Sequence, residues 1–135
     1  MSARENARGA KMIRAVVIAA MLAFGLAPAM ASQVSYYSVP RGAHPHDVAP
    51  APDGTVWYTA QAQGAIGILD PKTGKTTQIS LGQGAAPHGV IIGPDRAAWV
   101  TDGGQNAIAR VDAVNKSVRR FPLPANFPDA NLNTA

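Results

Sequence analysis

The sequence contains no cysteine, and Glu5 is its only glutamate. Without cysteine the chain can form no disulfide bond, so packing and hydrogen bonds must stabilise its fold. Beyond residue 5, the only carboxylate side chains belong to seven aspartates. Any chemistry in the rest of the chain that needs a carboxylate must therefore use an aspartate.

The sequence also lacks an apolar run of transmembrane length. The uncharged apolar segment of residues 15–26 has twelve residues, whereas a helix that spans a bilayer needs about 20. Residues 1–14 carry four Lys or Arg side chains and one acid. The triplet Ala29-Met30-Ala31 is typical of a cleavage site. This layout predicts a secretory signal peptide.

We therefore expect a signal peptide helix over residues 1–31, followed by a mature domain over residues 32–135. An uncleaved membrane anchor is the alternative, and Met12 is an alternative start. Export predicts a protein of the periplasm or the extracellular medium, without membrane attachment after cleavage.

The charge of the expected mature segment is almost balanced. Residues 32–135 contain eight Lys and Arg residues against seven aspartates, which leaves a net charge of +1. No basic patch with interleaved aromatic residues is present in this segment. We therefore expect no nucleic-acid partner.

Residues 45–81 and 87–123 are two copies of one repeat. At an offset of 42 residues they align without a gap, with twelve identities in 37 positions. Both copies open on Pro-His, at Pro45-His46 and Pro87-His88. Such self-similarity is the signature of a tandem repeat.

Each unit has the pattern of four short strands. Short runs rich in apolar, β-branched and aromatic residues alternate with turn signals such as Pro52-Asp53-Gly54. A repeat of about 42 residues with four strands is typical of a β-propeller blade. The fold class is therefore predicted as all-β, with complete blades at about 45–82 and 87–124. A β-sandwich and a β-helix are the alternatives.

The flanking residues extend the repeat. The segment "YYSVP", residues 36–40, lies one period before "QISLG" and is expected to be the last strand of an earlier blade. The tail "DANLNTA" lies where a third unit would begin, after a small insertion. Because a propeller typically needs about 4 to 8 blades, we expect the N-terminal portion of a longer protein.

Three histidines are the candidate ligand-binding residues. The innermost strand of each blade lines the channel of a propeller, so His46 and His88 should reach the same channel mouth, with His44 on the side of His46. The alternative is that each imidazole hydrogen-bonds the neighbouring blade and joins the blades. A His-x-His pair without glutamate or cysteine is weak evidence for a metal, and no metal ligand is assigned.

The remaining prominent residues have structural interpretations. Trp57 and Trp99 are expected to pack between blades. Arg96 stands where the first unit has Gly54, so its turn should depend less on a positive φ. Four aspartates are expected to form turns through hydrogen bonds to the backbone: Asp53, Asp70, Asp95 and Asp112.

The repeats resemble a known family. The stretches "PHDVAPAPDGTVWYTAQ", "AIGILDPKTGK" and "NAIARVD" are similar to repeats of the virginiamycin B lyase (streptogramin lyase) family, whose fold is a seven-bladed β-propeller. The resemblance implies a carbon–oxygen lyase of antibiotic resistance. Such an enzyme linearises streptogramin B antibiotics, which are cyclic depsipeptides, by a Mg²⁺-dependent elimination.

The resemblance implies no catalytic residue in this chain. In the family the essential histidine and the metal-holding glutamates lie in later blades, so we assign no catalytic role and expect the chain alone to be inactive. The alternatives are a non-catalytic periplasmic propeller that binds a peptide or a carbohydrate, a propeller hydrolase acting on lactones, and a truncated product without a function. The expected partner is a small-molecule or cyclic peptide ligand.

Overall fold

A computed structural model describes residues 33–128 and 130–133, and the predicted signal peptide lies outside these residues. Two four-stranded antiparallel sheets follow one another, in the orders β1-β2-β3-β4 and β5-β6-β7-β8. The all-β propeller-blade prediction is confirmed. The strands are β1 (Pro45–Pro50), β2 (Val56–Ala60), β3 (Ala65–Asp70), β4 (Lys75–Ser80), β5 (Pro87–Ile92), β6 (Ala98–Asp102), β7 (Ala107–Val111) and β8 (Val118–Pro122).

Helical structure is limited to one short 3-10 turn, Gln61–Gln63, within the described residues. No helix in this part of the chain combines the length and the apolar character that crossing a bilayer requires.

The two sheets have matching registers. In the first sheet Trp57 pairs with Ile68, and in the second Trp99 pairs with Arg110 at the equivalent place. Aspartates stabilise the hairpin turns through hydrogen bonds to the backbone. In the turn after β3, the Asp70 carboxylate accepts the Lys72 amide at 2.9 Å. The Asp53, Asp95 and Asp112 carboxylates accept backbone amides in the same way. Their predicted role in turns is confirmed.

At three turn positions the first blade has a glycine with left-handed backbone, and the second blade keeps this backbone conformation with a residue other than glycine. Arg96 has a φ of 62°, close to the 86° of its counterpart Gly54, so the expected independence from positive φ is wrong. The fold of the hairpin, not the residue type, determines this conformation, and a side chain with a β-carbon is strained in it. The other two pairs are Gly64 with Asn106 and Gly74 with Lys116.

The main core lies between the two sheets. Trp57 is 2% exposed and packs in one cluster with apolar residues of both sheets, among them Ile66, Val90, Val100 and Val111. Its predicted place between the blades is confirmed. Burial of such apolar surface contributes about 25 cal/mol per Å². Trp99, at the equivalent place in the second sheet, stacks on Phe121 with ring centroids 5.7 Å apart.

One cross-strand pair differs in size between the blades: a large residue faces glycine in the first blade, and two residues of intermediate size face each other in the second. Tyr58 is buried and pairs across the strands with Gly67, where an added β-carbon would lie 1.9 Å from the Tyr58 ring. The second blade has Val100 opposite Ala109 at the same position. The Tyr58 ring occupies the space that a side chain at position 67 would need. The glycine is therefore required by packing against the tyrosine and not by a turn.

The segment 36–40 forms no strand within the described part of the chain, contrary to the prediction. A strand requires a backbone ladder with a neighbour, and this segment makes contacts of another kind. The Tyr37 hydroxyl donates to the Pro71 carbonyl oxygen at 3.1 Å, and Val39 packs against the cluster that contains Tyr58. The segment therefore covers the first sheet without extending a ladder.

Candidate functional site

Each inner strand begins with a β-bulge, and the bulges contain the Pro-His repeat. In the first sheet Pro45 pairs with Ala60 and Val48 pairs with Tyr58, so two residues, 46 and 47, lie opposite the single residue Thr59. In the second sheet residues 88 and 89 lie opposite Thr101 in the same way. A bulge interrupts the ladder and redirects a side chain, so the backbone groups there need other partners.

The repeated threonine supplies those partners. The Thr59 hydroxyl oxygen accepts the Asp47 amide at 2.9 Å, and the hydroxyl donates to the His88 carbonyl oxygen of the next blade at 3.0 Å. Thr59 is fully buried. One hydroxyl thus fills the bulge of its own blade and binds the inner strand of the neighbour.

Asp47 makes a second connection beside the first. One carboxylate oxygen accepts the amide of the following Val48 at 2.9 Å, and the other accepts the Val90 amide of the second blade at 3.0 Å. The first blade therefore binds the backbone on both sides of Gly89. These bonds hold the strand that carries His88 at a defined distance from His46.

The two imidazoles meet at this point. The ring centroids of His46 and His88 lie 3.6 Å apart with an interplanar angle of 45°. His46 is exposed and His88 is half-buried. The two Pro-His elements are thus in contact, whereas their place at a channel mouth and ligand binding by them stay predictions.

His44 is not part of an extended strand, although its predicted position assumed that it is. It precedes β1, is exposed, and has a φ of 47°. Alternation of side chains applies to extended residues, and this backbone is left-handed. The expectation that His44 faces the side of His46 therefore stays a prediction.

A buried carboxylate lies beside the bulge of the second sheet, where no motif of the sequence indicated one. Asp102 is fully buried at the end of β6, and one of its oxygens accepts the Ala86 amide at 2.8 Å and the Gln105 amide at 3.1 Å. Its other oxygen has no hydrogen-bond partner among the described residues. The repeat alignment could have indicated this residue, because the second blade has a carboxylate where the first blade has the apolar Ala60.

The aspartates of the turns are committed to structural bonds. The Arg110 guanidinium, 2.7 Å from Asp95, and the Trp99 indole hold the pKa of Asp95 below its usual range. Hydrogen bonds from Thr55 and Thr73 lower the pKa of Asp53 and Asp70 in the same way.

Magnesium, which the family resemblance implies, does not fit the residues present. Within residues 33–128 and 130–133 no three His, Asp or Glu side chains come together in a metal-binding group. In the bulge beside His46, both oxygens of Asp47 accept backbone amides. We therefore derive no step through a metal ion from this chain.

A groove lies between the sheets at the other end of the inner strands. It encloses about 410 Å³ and is lined in part by Trp57, Asp53, Asp95 and Asp112. The Lys116 ammonium lies 5.0 Å from the Trp57 ring centroid, on that side of the blades. Because turns and ion pairs engage these carboxylates, we assign no ligand to the groove.

Two consecutive four-stranded meanders, with bulged inner strands side by side, define this part of the chain as blades of a β-propeller. The sequence itself matches the model of the Virginiamycin B lyase family over residues 27–130. The chain belongs to the virginiamycin B lyase family.

Solved structures agree with this assignment at the level of the fold. Selenomethionine-substituted virginiamycin B lyase from Staphylococcus aureus is 24% identical with a TM-score of 0.69, over 76% of this chain and 34% of that one. A catalytically inactive histidine-to-alanine variant of virginiamycin B lyase from the same organism, crystallised with quinupristin, is 23% identical with a TM-score of 0.70, over 78% and 35%. A streptogramin B lyase structure is 26% identical with a TM-score of 0.64, over 70% and 32%.

The chain thus spans about a third of the length of the solved lyases that it matches. No curated protein matches the sequence.

Proposed function

We propose that this chain forms part of an exported propeller that takes a streptogramin B antibiotic, or a similar cyclic depsipeptide, at the channel mouth. The observation that carries the proposal is the contact between His46 and His88, whose ring centroids lie 3.6 Å apart at the start of adjacent inner strands. Family membership supports the ligand class, since one matched structure contains quinupristin. His44 is proposed as a third contact.

The chemistry proposed for the family is an elimination. A base removes a proton from the carbon next to a carbonyl group, a carbon–carbon double bond forms, and the alkyl carbon–oxygen bond of the ester breaks. The ester leaves as a carboxylate, and no water is consumed. In this chain the mouth residues can bind and orient a ligand, because imidazole nitrogens donate or accept hydrogen bonds. The carboxylate of Asp47 is engaged by Val48 and Val90. We therefore propose that binding belongs to this chain and that it does not complete the elimination by itself.

A binding propeller without catalysis is the second candidate, and the same engagement of Asp47 favours it. Its ligand would be a peptide or a carbohydrate that receives hydrogen bonds from the two imidazoles. Export to the periplasm or the medium is proposed for both candidates, with cleavage before Ser32. N-terminal sequencing of the exported protein tests this, and a terminus at Met1 or Met12 would contradict it.

The binding test uses quinupristin with the purified protein. We expect the ring NMR signals of His46 and His88 to shift on addition of quinupristin, and His46→Gln and His88→Gln to weaken binding. His44→Gln shows whether the third histidine takes part. A wild-type protein whose histidine signals do not respond to quinupristin would overturn the proposed site.

Mass spectrometry with chromatography tests whether this chain completes the elimination by itself. Elimination linearises the antibiotic without changing its mass, whereas hydrolysis adds one water. We expect neither product from this chain with Mg²⁺ present. A linear product of unchanged mass above a protein-free control would show that the chain is a complete lyase.

A further inference from the structure

We infer that Asn133 lies at the channel mouth next to His88. The two residues would be related in the same way as His88 and His46. The first support is the repeated threonine. The Thr59 hydroxyl donates to the His88 carbonyl oxygen at 3.0 Å, and the Thr101 hydroxyl donates to the Asn133 carbonyl oxygen at 3.0 Å. Thr59 and Thr101 are equivalent by the repeat, so the residues whose carbonyl groups they bind are equivalent as well.

The length of the preceding segment explains why the repeat offset misses this residue. An offset of 42 from His88 leads to Ala130, three residues before Asn133. The connecting segments start at equivalent points, because the Leu81 amide donates to the Gly64 carbonyl oxygen at 2.9 Å and the Leu123 amide to that of Asn106 at 3.0 Å. The second connection is therefore three residues longer.

The additional residues are held by a side chain that the first blade lacks. The Asn106 side-chain amide donates to the Phe127 carbonyl oxygen at 2.6 Å, and its oxygen accepts the Ala130 amide at 3.3 Å. The first blade has Gly64 at the position of Asn106. The longer connection and the asparagine that binds it thus occur together.

The backbone before Asn133 resembles that of the first blade, although not that of the second, where Ala86 has no positive φ. Asn131 has a φ of 45°, and His44 has a φ of 47°. Each lies two residues before the residue that we place at the mouth, Asn133 and His46 respectively. Left-handed backbone is uncommon outside glycine, although asparagine and histidine adopt it more often than other residues.

The mouth would then present two imidazoles and one carboxamide in succession. A carboxamide both donates and accepts hydrogen bonds, which suits the ester and amide groups of a depsipeptide. This ligand assignment rests on the proposed function, whereas the position of Asn133 does not. Asn133 is exposed, and its bond to Thr101 uses only the backbone. Its exposed side chain can therefore contact a ligand.

Cysteine crosslinking tests the position without any ligand, because the chain contains no cysteine. His88→Cys combined with Asn133→Cys should crosslink with a short bismaleimide, as His46→Cys with His88→Cys should. The matched control combines His88→Cys with Ala130→Cys, and the single variants report crosslinks between molecules. Faster crosslinking of the 88–130 pair than of the 88–133 pair would overturn the inference.

Binding of quinupristin tests the contact. Loss of one hydrogen bond predicts that Asn133→Ala weakens binding about two- to tenfold, whereas Asn126→Ala, in the longer connection, should leave it unchanged. Equal affinities of Asn133→Ala and the wild type would remove Asn133 from the binding site. If the wild type does not bind quinupristin, the proposed function is wrong and the crosslinks alone decide the position.

Discussion

Replacing Thr59 by valine removes the hydroxyl that joins the two blades and keeps the branched shape of the side chain. The change leaves the Asp47 amide and the His88 carbonyl group without the bonds that they make at 2.9 and 3.0 Å. An unsatisfied buried polar group costs about 1–3 kcal/mol. Because the surroundings of these two groups are only partly buried, we expect a loss of about 3 kcal/mol in the free energy of unfolding.

Urea denaturation followed by tryptophan fluorescence measures this loss, since Trp57 is buried between the sheets. Thr59→Ser keeps the hydroxyl and loses one methyl group, so it should cost about 1 kcal/mol. Thr77→Val is the control, because Thr77 is exposed on β4 and surface changes stay within about 0.5 kcal/mol. A Thr59→Val variant as stable as Thr59→Ser would refute the hydrogen-bonding role.

Three further predictions concern the packing, the turns and the pH dependence. Gly67→Ala should destabilise by about 1–3 kcal/mol through overlap with Tyr58, and adding Tyr58→Val should cost less than the sum of the single changes; additive urea midpoints would contradict this. Arg96→Gly should increase the free energy of unfolding by up to about 1 kcal/mol and raise the melting temperature, because a φ of 62° strains a residue with a β-carbon. A melting temperature lower than that of Arg96→Ala would argue against strain. The pKa of Asp95 is lowered chiefly by Arg110, so the stability that its charge contributes is present at neutral pH and is lost as the pH falls below about 4. Asp95→Asn should therefore flatten the acid limb of the stability profile, and an unchanged limb would show that the pair contributes nothing.

Much of the candidate site could be predicted from the repeat, and part of it could not. The offset of 42 residues relates His46 to His88 and predicts that the two are neighbours, because equivalent residues of adjacent blades lie side by side. The offset does not reveal the bulge. Both blades have the extra residue at the same place, so the spacing between their equivalent residues is unchanged. For this reason the hydroxyl of Thr59 and the carboxylate of Asp47 were not assigned roles between the blades.

The sequence by itself determined the blade and its copies, because strand patterning, turn residues and a constant period are local properties that each unit carries. Only the tertiary structure decided which groups meet between units. The carbonyl oxygen that Thr101 binds belongs to Asn133, although the period indicates Ala130. A connection three residues longer changes the offset without changing the hydrogen bond, since the bond depends on where the backbone lies in space and not on its distance along the chain.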